Sequence, residues 1–220
     1  MPLNIVMLGP PGAGKGTQAE RLAREHRLAR VSTGDILREA VHADTPLGRA
    51  TQEIMEAGRL VDDDTMIAVV RERLERPDAV RGFVLDGFPR TVAQAEALEQ
   101  IVETRGPLVV LNLVVPHEEL ARRLSTRRVC DECGVNAAPK ASPESQCPRC
   151  GGAFVQRTDD DDAVVRERLR VFEEQTRPLV EHYRKGRTYF RVDGNQTPDR
   201  VAAALRDAVR SATLVPARHS

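Results

Sequence analysis

The sequence predicts an α/β chain, a parallel sheet covered by helices on both sides. Three observations predict it. An apolar run, residues 3–8, passes directly into a glycine-rich loop and then into a polar-apolar helical pattern over residues 18–27. Residues 108–115 are almost wholly apolar and β-branched, Asn112 excepted, which suits a strand covered on both faces. Short apolar runs then alternate with helical periodicity, the pattern of parallel strands joined by crossover helices. A chain of 220 residues suits one domain with small inserted subdomains and is long enough to bury its own core.

The loop reads Gly9-Pro-Pro-Gly12-Ala13-Gly14-Lys15-Gly16-Thr17. Its glycines let the backbone bend so that several N–H groups point inward, the helix start adds positive dipole, and Lys15 adds a full charge. Together they grip a phosphate chain. Ser32-Thr33-Gly34-Asp35 opens the next helix, with Ser32 or Thr33 able to cap it and Ile36, Leu37, Ala40 and Val41 on its apolar side. Thr45-Pro46 starts another, stopped by Gly58. Residues 32–61 thus read as a helical excursion without a strand. Asp62-Asp63-Asp64-Thr65 is a helix start rich in dipole-favourable acids, and Pro77 marks that helix's end. Residues 82–85 form a short buried strand closing on Asp86. Gly87-Phe88-Pro89-Arg90 is a turn, and Thr91 caps a helix presenting Ala93, Ala97, Leu98 and Ile101. Beyond Pro116 a helix runs from Glu118 to about Arg127. The acids of residues 159–162 cap a long helix reaching about Lys185, kinked at Pro178. A last short strand (189–192), a final helix (198–212) and a loose tail (214–220) complete the chain.

Charge balances, 33 basic residues against 33 acidic, so no whole-molecule field draws the protein to nucleic acid or anionic lipid. Aromatic residues at 3% argue against a base-stacking platform. With neither a basic, apolar leader nor a membrane-length apolar stretch, the expectation is a soluble, cytoplasmic protein with no nucleic-acid or membrane partner.

Residues 130–153 carry all four cysteines, as Cys130-x-x-Cys133-Gly and Cys147-x-x-Cys150-Gly. Each half can wrap two thiolates onto one metal, its trailing glycine tolerating the tight backbone. Two halves make a closed, structural four-thiolate zinc site. The 13 residues between Cys133 and Cys147 are slightly fewer than the usual ~15–20. Two disulfides or a redox pair are the alternatives, and a cytosolic setting disfavours them. The segment has too few apolar residues for a core of its own, which zinc would replace.

Gly16 stands where most phosphate loops place a magnesium-binding hydroxyl. Other oxygens, or water, must then hold the ion. Asp86, closing a buried strand, and Asp35 are the candidates. Arg38, Arg90, Arg123, Arg127, Arg157 and Arg168 lie on separate segments near loop or helix ends. Phosphoryl transfer between two nucleotides needs such guanidinium groups to neutralise charge and align the reactants, although each arginine taken singly reads as a solvated surface residue.

The phosphate loop, Ser32-Thr33-Gly34-Asp35, Asp86-Gly87-Phe88-Pro89-Arg90-Thr91 with Gln94, and Gln156-Arg157-Thr158-Asp159-Asp160 closely resemble the adenylate kinases, in their long-lid, zinc-containing bacterial form. The resemblance covers residues 3–212. It implies a parallel five-stranded core (1–31, 62–126 and 165–220), an AMP-binding insertion (32–61) and a zinc-bearing lid over ATP (127–164). Residue by residue, Gly12, Ala13, Gly14, Lys15, Gly16 and Thr17 would hold ATP phosphates. Arg123 would lie against its adenine, Arg127 would contact its phosphates, and Gln196 would offer a backbone contact to the base. Thr33, Arg38, Gly87, Phe88, Pro89, Arg90 and Gln94 would hold AMP, with backbone help from Arg59, Leu60 and Val61. Arg157 and Arg168 would bridge the reacting phosphates, joining Lys15, Arg90 and Arg127 as the catalytic set.

The implied reaction, carried out by a monomer that balances adenine nucleotides, is reversible: MgATP and AMP give two ADP. The acceptor is an ionised phosphate oxygen, so no general base is needed, and alignment and charge neutralisation carry the rate. A kinase of CMP or UMP is the near rival, against which Gln94 favours adenine. A nucleotide-switched nucleic-acid binder is the distant one, disfavoured by neutral charge, few aromatics and a lid without a basic stretch. One departure concerns the lid. Val135-Asn136-Ala137 stands where many zinc-bearing relatives carry an aromatic, so any aromatic contact to ATP from that position is missing.

Overall fold

The computed structural model describes residues 2–137 and 145–214. Five parallel strands form the central sheet: β1 (Leu3–Leu8), β2 (Ala29–Ser32), β3 (Gly82–Asp86), β4 (Leu108–Val114) and β7 (Tyr189–Asp193), in the order β2-β3-β1-β4-β7. The period-two alternation of β1 builds two cores. Ile5 and Met7 pack on one face with Leu22 of α1 (Lys15–His26), Leu124 of α6 (His117–Ser125) and Leu205 of α9 (Pro198–Thr213). Val6 and Leu8 pack on the other with Val70 of α4 (Asp63–Glu75) and Leu98 of α5 (Val92–Val102). Burial of this kind contributes about 25 cal/mol per Å² of apolar surface, so strands apolar on both faces sit where the gain is largest.

Register positions the site. Met7 and Ser32 both pair with Asp86, and Leu8 pairs with Asn112. The strands therefore finish level, and the phosphate loop, the Ser32–Thr33 junction after β2 and the Gly87 turn all leave the same edge of the sheet. Beside β1 the chain order switches direction, the place where open α/β sheets bind ligands.

The helix starts form as their sequences dictate. Ser32 caps α2 (Thr33–His42) by accepting from Asp35 N–H, Asp62 caps α4 through Thr65 N–H, and Thr91 caps α5 through Gln94 N–H. The excursion holds α2 and α3 (Pro46–Glu56), packed on each other.

The structure departs from expectation in three places. β2 is a strand that hydropathy does not announce: it is four residues long, at the sheet edge, with exposed Arg30 in its middle. In the cysteine segment, β5 (Arg128–Cys130) and β6 (Phe154–Gln156) pair antiparallel, a ladder too short to show periodicity. The long C-terminal helix is not kinked at Pro178 itself. α7 (Asp162–Val171) passes through a π turn, Phe172–Thr176, into α8 (Pro178–Tyr183), and Arg177 N–H bonds to Phe172 C=O at 2.8 Å. Proline lacks an N–H and its ring crowds the preceding turn. Widening that turn relieves the clash, so the distortion sits before the proline. The expected tail lies, from residue 215, outside the described residues.

Candidate active site

The phosphate loop folds around its own lysine. Lys15 Nζ donates to the carbonyls of Gly9 (2.7 Å) and Pro10 (2.9 Å). Burial pushes its pKa down to about 8, with Arg90, Arg168 and Arg127 adding to the effect and Asp86 opposing it. Gly16 has a steric reason: a Cβ there would lie 3.1 Å from Asp86 Oδ2. A side chain after Lys15 would therefore press on the carboxylate closing β3, which would have to give by a few tenths of an ångström. Gly12, Gly14, Lys15, Gly16 and Thr17 line one cavity with Asp35, Asp86, Arg123 and Arg127, while Ala13 is buried beneath the loop.

Asp35 is already engaged. It accepts from Arg30 Nη2 at 2.7 Å and from Arg38. Its pKa falls because Arg38, then Arg30, outweigh the opposing effect of burial. No motif in the sequence marks Arg30, an isolated arginine within a short edge strand.

A layer of paired charges roofs the cleft. Arg127 grips Asp160 through Nε (2.6 Å) and Nη2 (2.5 Å), and Asp160 is 1% exposed. Arg157 Nε donates to Asp159 at 2.7 Å, and Arg168 Nη1 donates to Asp160 Oδ1 at 2.9 Å. Burial works to raise the pKa of Asp159, but Arg168 and Arg157 win and hold it at about 2. Burial lowers Arg168 to about 10 and also lowers Arg90 and Arg38. The aspartates are what make so many buried cations tolerable, since an unpaired buried charge costs several kcal/mol.

The second cavity lies under the excursion. Thr33, Arg38, Arg59, Leu60, Val61, Gly87, Pro89, Arg90, Gln94, Arg157 and Arg168 line it, as do Val171, Phe172 and Thr176 from the π turn. Phe88 is 1% exposed and lies in the core below. Gly58, at φ +70°, ends α3 in the left-handed region, where a Cβ would meet Arg168 Cγ at 2.9 Å. Glycine there lets the end of the excursion close onto α7. The two cavities share Lys15, Arg38, Arg90, Arg157 and Arg168.

Two candidate residues stand at the margin. Arg123 donates to Glu119 (2.7 Å) and to Gly194 C=O (3.1 Å). That bond brings the turn after β7 to the cleft, yet Gln196 in that turn is exposed, bonded to Asp193, and lines neither cavity. Asn136, at the position of the missing aromatic, lines the phosphate-loop cavity. Glu119, as Arg123's partner, had no sequence signal beyond i,i+4 spacing.

In the cysteine segment the four Sγ atoms of Cys130, Cys133, Cys147 and Cys150 all lie within 4.8 Å of one another. Cys130 and Cys150 are 3.3 Å apart, Cys133 and Cys147 3.6 Å. A tetrahedron of ~2.3 Å zinc–sulfur bonds places sulfurs about 3.8 Å apart, so the cluster is compatible with a structural zinc. Cys130, Cys147 and Phe154 are the only buried residues in this hydrophobic cluster among the described residues.

Comparison with known proteins agrees with this geometry. The sequence model of the family described as adenylate kinase matches residues 7–188. The adenylate kinase of Archaeoglobus fulgidus is 46% identical over 201 residues, 88% of this chain and 92% of that protein. That of Carboxydothermus hydrogenoformans is 44% identical over 213 residues, 94% of this chain and all of that protein. Likeness at that level along nearly the whole length, on a sheet and loop of this form, settles the family: the chain belongs to the adenylate kinases and is a phosphotransferase.

Proposed function

We propose that the phosphate-loop cavity holds ATP, that the cavity under the excursion holds AMP, and that the γ-phosphoryl group passes between them, giving two ADP. The shared lining carries this reading. Lys15, Arg38, Arg90, Arg157 and Arg168 belong to both cavities, as a seam must if two phosphate chains are to meet end to end. Guanidinium and ammonium groups fixed there neutralise charge on the transferring group and hold donor and acceptor in line.

Residues 32–61 act as the AMP-binding insertion, 127–164 as the lid, and the remainder as the core. Contact between α3 and the turn Thr158–Asp160 supports closure of the two over the cleft, which excludes water as a competing acceptor. Gln94 reads the AMP base, Thr33 and the backbone of residues 59–61 and 87–90 seat its body, and Arg123 packs on the ATP base beside the turn carrying Gln196. Asp86 is the better-placed carboxylate for magnesium, directly or through water, because Asp35 is held by two arginines. Magnesium supplies charge neutralisation on the ATP phosphates. Cys130, Cys133, Cys147 and Cys150 would hold zinc, which keeps the lid in one piece.

Coupled assays of ADP formation from ATP with AMP, CMP, UMP or GMP test the reading. AMP is expected to be the preferred acceptor. No ADP from AMP overturns it. The proposal includes a monomer, so sedimentation at the 24.3 kDa of one chain is expected, and a stable dimer counts against it.

A further inference from the structure

Gln94 is 2% exposed, yet it lines the proposed AMP cavity. Both ends of its amide are engaged from behind. Nε2 donates to Asp63 Oδ1 at 2.7 Å, and Oε1 accepts from Arg90 N–H at 2.8 Å. Asp63 also accepts from Thr91 Oγ1, at 3.0 Å from each carboxylate oxygen, and Thr91 Oγ1 accepts from Gln94 N–H at 3.2 Å. The four residues make a closed network joining the start of α4 to the start of α5.

An amide oxygen and nitrogen can exchange places by a half-turn, and neighbours alone decide which state holds. Here only one state is possible. A carboxylate accepts and cannot donate, whereas a backbone N–H donates and cannot accept. The flipped amide would set oxygen against the Asp63 carboxylate and NH2 against the Arg90 N–H, losing both bonds and leaving buried groups unpaired. In the state observed, one N–H and one oxygen lone pair remain for the cavity, in a fixed left-right order.

That order is the whole chemical difference between two purines. A 6-amino purine presents a donor beside a ring acceptor; a 6-oxo purine presents an acceptor beside a ring N–H donor. One amide serves either, according to its flip. We infer that Asp63 is a specificity-determining positioning residue, which together with the Arg90 N–H locks the Gln94 amide in the polarity that selects 6-amino over 6-oxo purine monophosphates. This rests on the reading that Gln94 faces the base of AMP.

The test compares kcat/KM for AMP and IMP in the wild type and three variants. Gln94→Leu should collapse the AMP preference, because the reading group is gone. Asp63→Asn is nearly isosteric, and its own amide can meet either flip of Gln94, so that only the Arg90 N–H still opposes the flipped state. The AMP-to-IMP ratio should fall about tenfold or more, through KM for the monophosphate, with KM for ATP unchanged. Thr91→Val removes the cap and the hydroxyl bond while leaving Asp63 on Gln94; it should lower thermal stability and keep the ratio. Calorimetric binding of AMP and IMP in the cold gives the same ratio should a variant be too unstable for assay. If Gln94→Leu collapses the ratio and Asp63→Asn keeps it, the lock is overturned and the base reading stands. If Gln94→Leu itself keeps the wild-type ratio, the base reading falls and the lock with it.

Discussion

Burial brings Lys15 down to about 8 against the pull of Asp86, and this has a consequence for binding. A phosphate beside Nζ favours the charged form, so the bound pKa is higher than the free one, and above pH 8 binding must take up a proton. The dissociation constant for MgATP should therefore be flat below pH 8 and rise above it, by up to about tenfold per pH unit. Calorimetry between pH 7 and 9.5 reads this, and a flat profile across that range would remove the lysine from the phosphate site. Lys15→Ala should cut turnover by about 10²–10³-fold with the melting temperature little changed; unaltered turnover would refute its role. Much of this site is legible at the level of residues, because the phosphate loop and the Asp-Gly-Phe-Pro-Arg string are contiguous. Asp63 shows where legibility stops. In the run of three aspartates it reads as a helix-start acid, but Asp62 supplies the cap while Asp63 turns to Thr91 and Gln94, partners 28 and 31 residues away. Nothing local in the sequence marks a bond of that range.

Elements were readable in proportion to their length and to how wholly apolar they are. β1, β3 and β4 are buried runs, and the caps at Ser32, Asp62 and Thr91 follow from side-chain chemistry within three residues. β2 and the β5–β6 pair are short, at edges, and shaped by neighbours rather than by propensity. Among the described residues the cysteine segment's own core is little more than two cysteines and Phe154, so its order should depend on metal. We expect one zinc per chain by metal analysis. Cys133→Ser should lose that zinc and expose the cysteine segment to proteolysis while leaving hydrogen-exchange protection of β1 and β4 intact. A metal-free preparation with an equally protected cysteine segment would count against a structural zinc.

For the molecule as a whole, the balance of 33 basic against 33 acidic residues conceals a concentration of cations in the cleft, neutralised by Asp35, Asp86, Asp159 and Asp160. Asp159 is held at about 2 in the fold against roughly 3.9 when unfolded. A depressed carboxylate contributes stability above its unfolded pKa and loses it as pH falls towards the folded one. Asp159→Asn should lower stability by about 2 kcal/mol at neutral pH, and the gap to wild type should close between pH 4 and 2 in thermal melts; a gap independent of pH would refute the assignment. After the cysteine segment the chain runs along α7, the π turn and α8. A π turn contains one residue more than the α-helical geometry accommodates, so it acts as a phase shifter: side chains on either side are offset by about 100°, one residue's rotation. An unbroken α-helix would put Leu179 within about 20° of Arg168; the offset turns Leu179 about 80° away, so that Arg168 faces the cleft while Leu179 packs in the core. Deleting Glu174 should therefore leave the helical circular dichroism nearly unchanged yet put the two ends out of register, sacrificing either the core contact or the arginine.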